Sequence, residues 1–222
     1  MEERFRPPLA RVEKVKQKSF LTRFFGIFAD PRAWGSLIYM LFALVTGIIY
    51  FTWAVTGISV GASMIFLIIG IPIIVLFLYS IRGISFVEGR LVEALLGERM
   101  PRRSKYTNKN IKLWDRIKDL FTDRTTWLGM LYMVLQLPLG ILYFTLMVTF
   151  IATSIALILA PVALIISNVS LVDIGGEYFN PSYWTLPFIS IGGFLILTIS
   201  MHLAKLVGKL HGKWAKLLLV ND

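Results

Sequence analysis

The sequence predicts an all-α integral membrane protein, with four transmembrane helices arranged as two tandem hairpins and a cytoplasmic amphipathic helix after each. Three observations carry this. The chain is 56% hydrophobic and only 16% charged over 222 residues, too apolar for a soluble domain of that length. Residues 33–81 form a run of 49 without a charge, about twice the ~20 that cross a hydrocarbon core as helix. All 23 Lys and Arg fall in three blocks: eight from Arg4 to Arg32, eleven from Arg82 to Arg124, and four from Lys205 to Lys216. Positive residues flanking membrane spans stay inside, which predicts that both termini and the central linker are cytoplasmic and the number of crossings even.

The elements follow in order. Residues 1–27 read as a basic cytoplasmic segment in which no short apolar core with a small-residue cleavage site marks a removed signal peptide. Helix 1 is expected near 35–56 and helix 2 near 60–82, with Thr56-Gly57-Ile58-Ser59-Val60-Gly61 as the turn and Gly70-Ile71-Pro72 as a kink. The linker should hold two amphipathic stretches that lie along the inner leaflet or under the bundle. In the first, Ile84, Val87, Leu91 and Leu95 oppose Glu88, Arg90 and Glu93; in the second, Ile111, Trp114, Ile117 and Phe121 oppose Lys112, Arg116 and Asp119. Helix 3 is expected at 127–150 and the last span at 184–206. Residues 151–168 are apolar, but a fifth crossing would move the last four lysines outside. They therefore read as a re-entrant or outer-leaflet segment, followed by an external loop over 169–183. Asn168-Val169-Ser170 fits a glycosylation sequon there.

The halves are related. At an offset of 93, thirteen of the 29 positions from Phe28 to Thr56 are identical, including Asp30/Asp123, Trp34/Trp127, Gly47/Gly140 and Tyr50/Tyr143. Towards the ends the offset becomes 123, aligning Arg82, Gly89 and Arg90 with Lys205, Gly212 and Lys213. The first repeat is 28–110 and the second 111–222, the latter carrying an insertion over 151–183. An even-crossing unit repeated in tandem predicts parallel repeats about an axis along the membrane normal.

Candidate residues have structural explanations first. Asp30 and Asp123 are helix N-cap residues, Pro31 suits the first helical position, and Trp34 and Trp127 belong at an interface. Lys205, Lys209, Lys213 and Lys216 oppose Leu206, Leu210, Trp214 and Leu217, a basic amphipathic helix suited to anionic lipid. Tyr50-Phe51-Trp53 and Tyr143-Phe144 read as an outer aromatic belt, and Gly35, Gly47, Gly70, Gly140 and Gly192-Gly193 as close helix contacts. His202 and His211 read as ordinary interfacial histidines. With no cysteine and no carboxylate cluster beside them, no metal and no cofactor is expected. Away from the span ends at Arg82 and Lys205, no predicted span contains Asp, Glu, Lys or Arg, which argues against coupled transport. The net charge of +10 is spread as flanking blocks and does not point to nucleic acid. No Walker loop, nucleophile elbow or kinase motif is present, so no enzyme is expected.

The doubled Asp-x-x-x-Trp pattern, leading through Tyr39 and Gly47 or through Tyr132 and Leu137-Pro138-Leu139-Gly140, resembles the four-helix sensor domain found as the input module of prokaryotic two-component histidine kinases. It covers about residues 20–219. The resemblance implies detection of a membrane or envelope signal. The sequence to Asp222 has no phosphoacceptor or ATP-binding domain, so the expected role is a non-enzymatic sensor or accessory module acting through a membrane-protein partner or a second copy. The alternatives are a structural subunit of a larger complex such as a transporter, favoured by an apolar surface too large for lipid alone, and a small permease, favoured by a continuous polar pore.

Overall fold

A computed structural model describes residues 20–64, 70–100, 118, 120–167, 172–174, 177–179 and 182–220. Among them are a short helix α1 (Phe20–Phe25) and a 3-10 turn (Gly26–Ala29), then α2 (Pro31–Met64), α3 (Gly70–Leu96), α4 (Arg124–Ser167) and α5 (Leu186–Leu219). The last four are long and apolar enough to cross a membrane, which makes this a multi-pass membrane protein. Between α4 and α5 lies a two-stranded antiparallel hairpin, β1 (Val172–Ile174) with β2 (Glu177–Phe179).

Three expected boundaries are corrected. The proposed turn at 56–61 is helix, because α2 continues to Met64; Gly57 and Gly61 pack against Phe77 and Ile74 of α3 instead of breaking the helix. The amphipathic stretch after helix 2 is not a separate element. It is the second half of α3, which stops only where Gly97 adopts φ 73°, the left-handed conformation that ends helices at low cost in glycine. Residues 151–167 are neither re-entrant nor a separate outer-leaflet helix but the continuation of α4, which runs for 44 residues with Pro138 and Pro161 inside it. At 1.5 Å per residue α4 is ~66 Å long, about twice a hydrocarbon core. The second amphipathic stretch, apart from Phe121, lies outside the described residues, as do Lys105, the Asn168 sequon and Gly175-Gly176.

The buried face of α3 also differs from the expected one. Val87 is exposed, while Ile81, Ser85, Glu88, Gly89, Val92 and Leu96 are buried. Side-chain hydropathy predicted the wrong face because close helix packing selects small residues, here Ser85 and Gly89, over large ones. In α5 the inward face is likewise rich in small residues. Leu206, Leu210 and Leu217 are exposed, and Gly208, His211, Gly212, Ala215 and Leu218 face inward.

Contacts fix the direction of every long helix. Trp53 meets Ser80, Gly57 meets Phe77, and Gly35 meets Leu95, so α2 and α3 are antiparallel. Ser190 and Gly193 meet Ile158, and His211 meets Tyr143, so α4 and α5 are antiparallel too. Between repeats the order advances together. Asp30, Ser36 and Tyr39 meet Lys205, Gly208 and His211, while Arg82, Ser85 and Glu88 meet Asp123, Gly129 and Tyr132. Hence α2 runs parallel to α5, α3 parallel to α4, and the two leading helices α2 and α4 antiparallel.

The halves are therefore related by a two-fold perpendicular to the helices, not along them. The expectation of parallel repeats is overturned: for helices that cross a membrane, this axis lies in its plane, the inverted arrangement. The sequence argument failed because it fixed helix direction from flanking charge alone.

A buried polar cluster as the candidate functional site

At the centre of the bundle sits Glu88, 1% exposed, in the half of α3 expected to lie in the cytoplasm. An isolated buried carboxylate is costly and must be hydrogen-bonded or neutralised. Three tyrosines do this. The hydroxyls of Tyr39 and Tyr132 donate to Oε1 at 2.6 and 2.8 Å, and that of Tyr50 donates to Oε2 at 2.8 Å. His211, 2% exposed, lies behind them, its Nε2 2.7 Å from the Tyr39 oxygen and 3.1 Å from that of Tyr132. Its Nδ1 is 3.3 Å from the hydroxyl of Tyr143. Gln136 donates to Tyr39 at 3.2 Å. Every long helix contributes at least one of these groups.

The cluster obeys the repeat. Tyr39 and Tyr132 are equivalent at the offset of 93, as are Tyr50 and Tyr143, and at the offset of 123 Glu88 aligns with His211. Two symmetric tyrosine pairs thus surround one position occupied by an acid in the first half and an imidazole in the second. The backbone brings them together through glycine. A β-carbon at Gly47 would lie 2.8 Å from the Gln136 carbonyl oxygen, and one at Gly140 would collide with that of Ala43. Side chains there would force α2 and α4 apart and separate the tyrosines.

Sequence reasoning missed this site. It gave Glu88 to a solvated face, the two tyrosines at 50 and 143 to a lipid belt, and His211 to the interface. A signal was present: tyrosines repeated at matching positions in apolar helices, beside an ionisable residue in each half at the second offset. The expectation that no span holds Asp, Glu, Lys or Arg is corrected accordingly, since Glu88 lies within α3.

The residues singled out from sequence lie elsewhere, in two further symmetric sets. Asp30 precedes α2, its Oδ1 accepting from the Arg32 amide at 3.0 Å and its Oδ2 from Lys205 at 2.5 Å. Asp123 precedes α4, its Oδ1 accepting from the Thr125 amide at 3.0 Å and its Oδ2 from Arg82 at 2.6 Å. The hydrogen bond from Lys205, then that from the Arg32 amide, hold the Asp30 carboxyl below its ordinary value. Trp34 donates to the Phe28 carbonyl at 2.8 Å and Trp127 to that of Phe121 at 2.9 Å, while both rings remain half-exposed. Lys209, Lys213 and Lys216 are exposed. Lys205 is tied to Asp30, so the four-lysine face is reduced to three.

Among the described residues no group of three or more His, Cys, Asp or Glu is placed to hold a metal ion. The cluster is acceptor-rich at Glu88 and otherwise built of hydroxyl, amide and imidazole groups, chemistry suited to holding protons and hydrogen bonds. No curated protein and no solved structure matches the chain closely enough to add to this. The profile of the family described as "Putative sensor" matches residues 39–219, a span that begins at the first tyrosine of the cluster and includes all of it, and the chain belongs to that sensor family.

Proposed function

We propose that this protein is a non-enzymatic membrane sensor module in which a membrane or envelope signal changes how the two hairpins pack, and the change passes to a partner protein. The observation that carries this is the Glu88 cluster. One carboxylate on α3 holds hydroxyls from α2 and α4, and those hydroxyls hold the imidazole of α5. A shift in any helix therefore disturbs one shared set of bonds, which is how a packed element comes to have two discrete arrangements. The ends of α3 and α5 beyond the cluster would carry the change outward. Lys209, Lys213 and Lys216 on α5 suit an anionic lipid surface, which would bias whichever arrangement presents them.

The test is crosslinking in native membranes followed by identification of captured proteins, with the wild type and Glu88→Gln compared. The reading expects a specific partner whose crosslinks fall near the ends of α3 or α5 and change in yield in the variant. Capture of no specific partner, or crosslinks indifferent to Glu88, would count against it.

A further inference from the structure

With Glu88 as a carboxylate, one set of proton positions satisfies the hydrogen-bond geometry of the cluster. The Tyr39 and Tyr132 hydroxyls each have one hydrogen, and both are directed at Glu88 Oε1. Nε2 of His211, within 2.7 Å of the first oxygen and 3.1 Å of the second, must then carry a hydrogen and donate. In the neutral ring Nδ1 is the acceptor, and the Tyr143 hydroxyl is its donor. This state leaves a buried carboxylate with no cation hydrogen-bonded to it among the described residues. A tyrosine-bridged imidazolium would neutralise it.

We propose that this cluster is a proton-binding site, taking up one proton at Nδ1 of His211, and that uptake locks α3 to α5 through Tyr39 and Tyr132. Only one bond has to reverse: Nδ1–H then donates to the Tyr143 oxygen, whose own hydrogen turns away. Each of the three neighbours of the Glu88 oxygens presents a hydrogen. If an acid proton did form there, Tyr39 would turn to donate to Nε2, and the imidazole would again carry its hydrogen on Nδ1. Both arrangements end with Nδ1 protonated and the cluster neutral.

The groups facing His211 are Tyr39 from α2, Tyr132 and Tyr143 from α4, and Glu88 from α3 through the tyrosines. Glu98, just beyond α3, packs beside Gly212, and Lys209 and Lys213 on α5 itself point outward. Burial disfavours a lone imidazolium, and the nearby carboxylate opposes that penalty. Proton binding is independent of the sensor reading; that the proton acts as a signal or co-signal rests on it.

The test is nitrogen NMR of the full chain in nanodiscs, with histidine labelled and His202→Gln used to isolate His211. The expected result is an Nε2–H tautomer at high pH and a hydrogen gained on Nδ1 between about pH 8 and 5, the range in which imidazoles change charge. Glu88→Gln should lower the midpoint by roughly one pH unit or more, the effect of removing an adjacent opposite charge. Tyr143→Phe, which removes the new acceptor, should lower it with the helical circular dichroism unchanged, and it decides the matter if Glu88→Gln does not fold. A ring that stays neutral to pH 5, an Nδ1–H tautomer at high pH, or a midpoint unmoved in the folded variants overturns the proposal. Titration as described with partner crosslinks that ignore Glu88 would leave the proton site standing and remove the sensor reading. The reverse pattern would remove the proton site alone.

Discussion

Gly47 and Gly140 occupy equivalent places on either side of one contact, each lying against the backbone of the other's helix four residues before the other glycine. The obstacles are the carbonyls of Gln136 and Ala43, which no rotamer change can move. Substituting either glycine with alanine should therefore destabilise the bundle by about 1–3 kcal/mol, the usual cost of overpacking. Gly192→Ala is the control. Nothing lies within 4 Å of a β-carbon there, and its thermal midpoint in the same detergent should not fall.

Removing the Tyr50 hydroxyl leaves an oxygen of a buried carboxylate short of its donor. Tyr50→Phe should cost about 1.5–3 kcal/mol, the range for hydrogen bonds to charged groups. Exposed Tyr183 is the comparison: Tyr183→Phe should be within about 0.5 kcal/mol of wild type. Denaturation in mixed micelles reads both.

The symmetric ion pairs give a pH prediction at the surface. The Asp30 carboxyl is held below its ordinary value chiefly by Lys205, so its contribution is fully present above the unfolded carboxylate value of about 3.9 and is lost as pH falls through the folded one. The pair is partly exposed, which limits the effect to about 1 kcal/mol or less. Lys205→Gln should lower the thermal midpoint slightly near pH 7 and remove this part of its acid dependence, so that variant and wild type converge as pH falls through the folded carboxyl value.

Class and composition were legible in the sequence: four apolar helices, caps at Asp30 and Asp123, and a repeat whose offsets hold at the two inter-repeat ion pairs, at Gly47 and Gly140, and at the tyrosines. The centre was not. Hydropathy puts Glu88 on a polar face opposite Val87, whereas in the fold Gly89, Gly208 and Gly212 let backbones approach and the acid enters with hydroxyls to meet it. A carboxylate that costs much when alone becomes acceptable once three donors from two other helices reach it, and those donors are 38 to 49 residues away in the chain. Helix direction was misjudged for a related reason, since Lys205 pairs with Asp30 and Arg82 with Asp123 across the repeats.

Lipid contact at α5 is open to a simple measurement. Replacing Lys209, Lys213 and Lys216 with glutamine should reduce the anionic lipid retained through purification, because each basic residue near an anionic surface contributes about 1 kcal/mol before screening. Lys205→Gln alone should change retention little. Equal retention in wild type and the triple variant would remove the electrostatic role and leave these lysines as solubilising charges.

The antiparallel relation of α2 and α4 supports everything above, and disulfide crosslinking tests it directly because the sequence has no cysteine of its own. Ala54 packs in the same core cluster as Met130, whereas its equivalent at the offset of 93 is Met147, which lies with Met40 and Met201 in another. In membranes, an Ala54→Cys, Met130→Cys pair should crosslink rapidly within single molecules and an Ala54→Cys, Met147→Cys pair should not. Rapid crosslinking of the 54–147 pair in place of 54–130 would mean that the repeats are parallel and that the Glu88 cluster is not assembled as described.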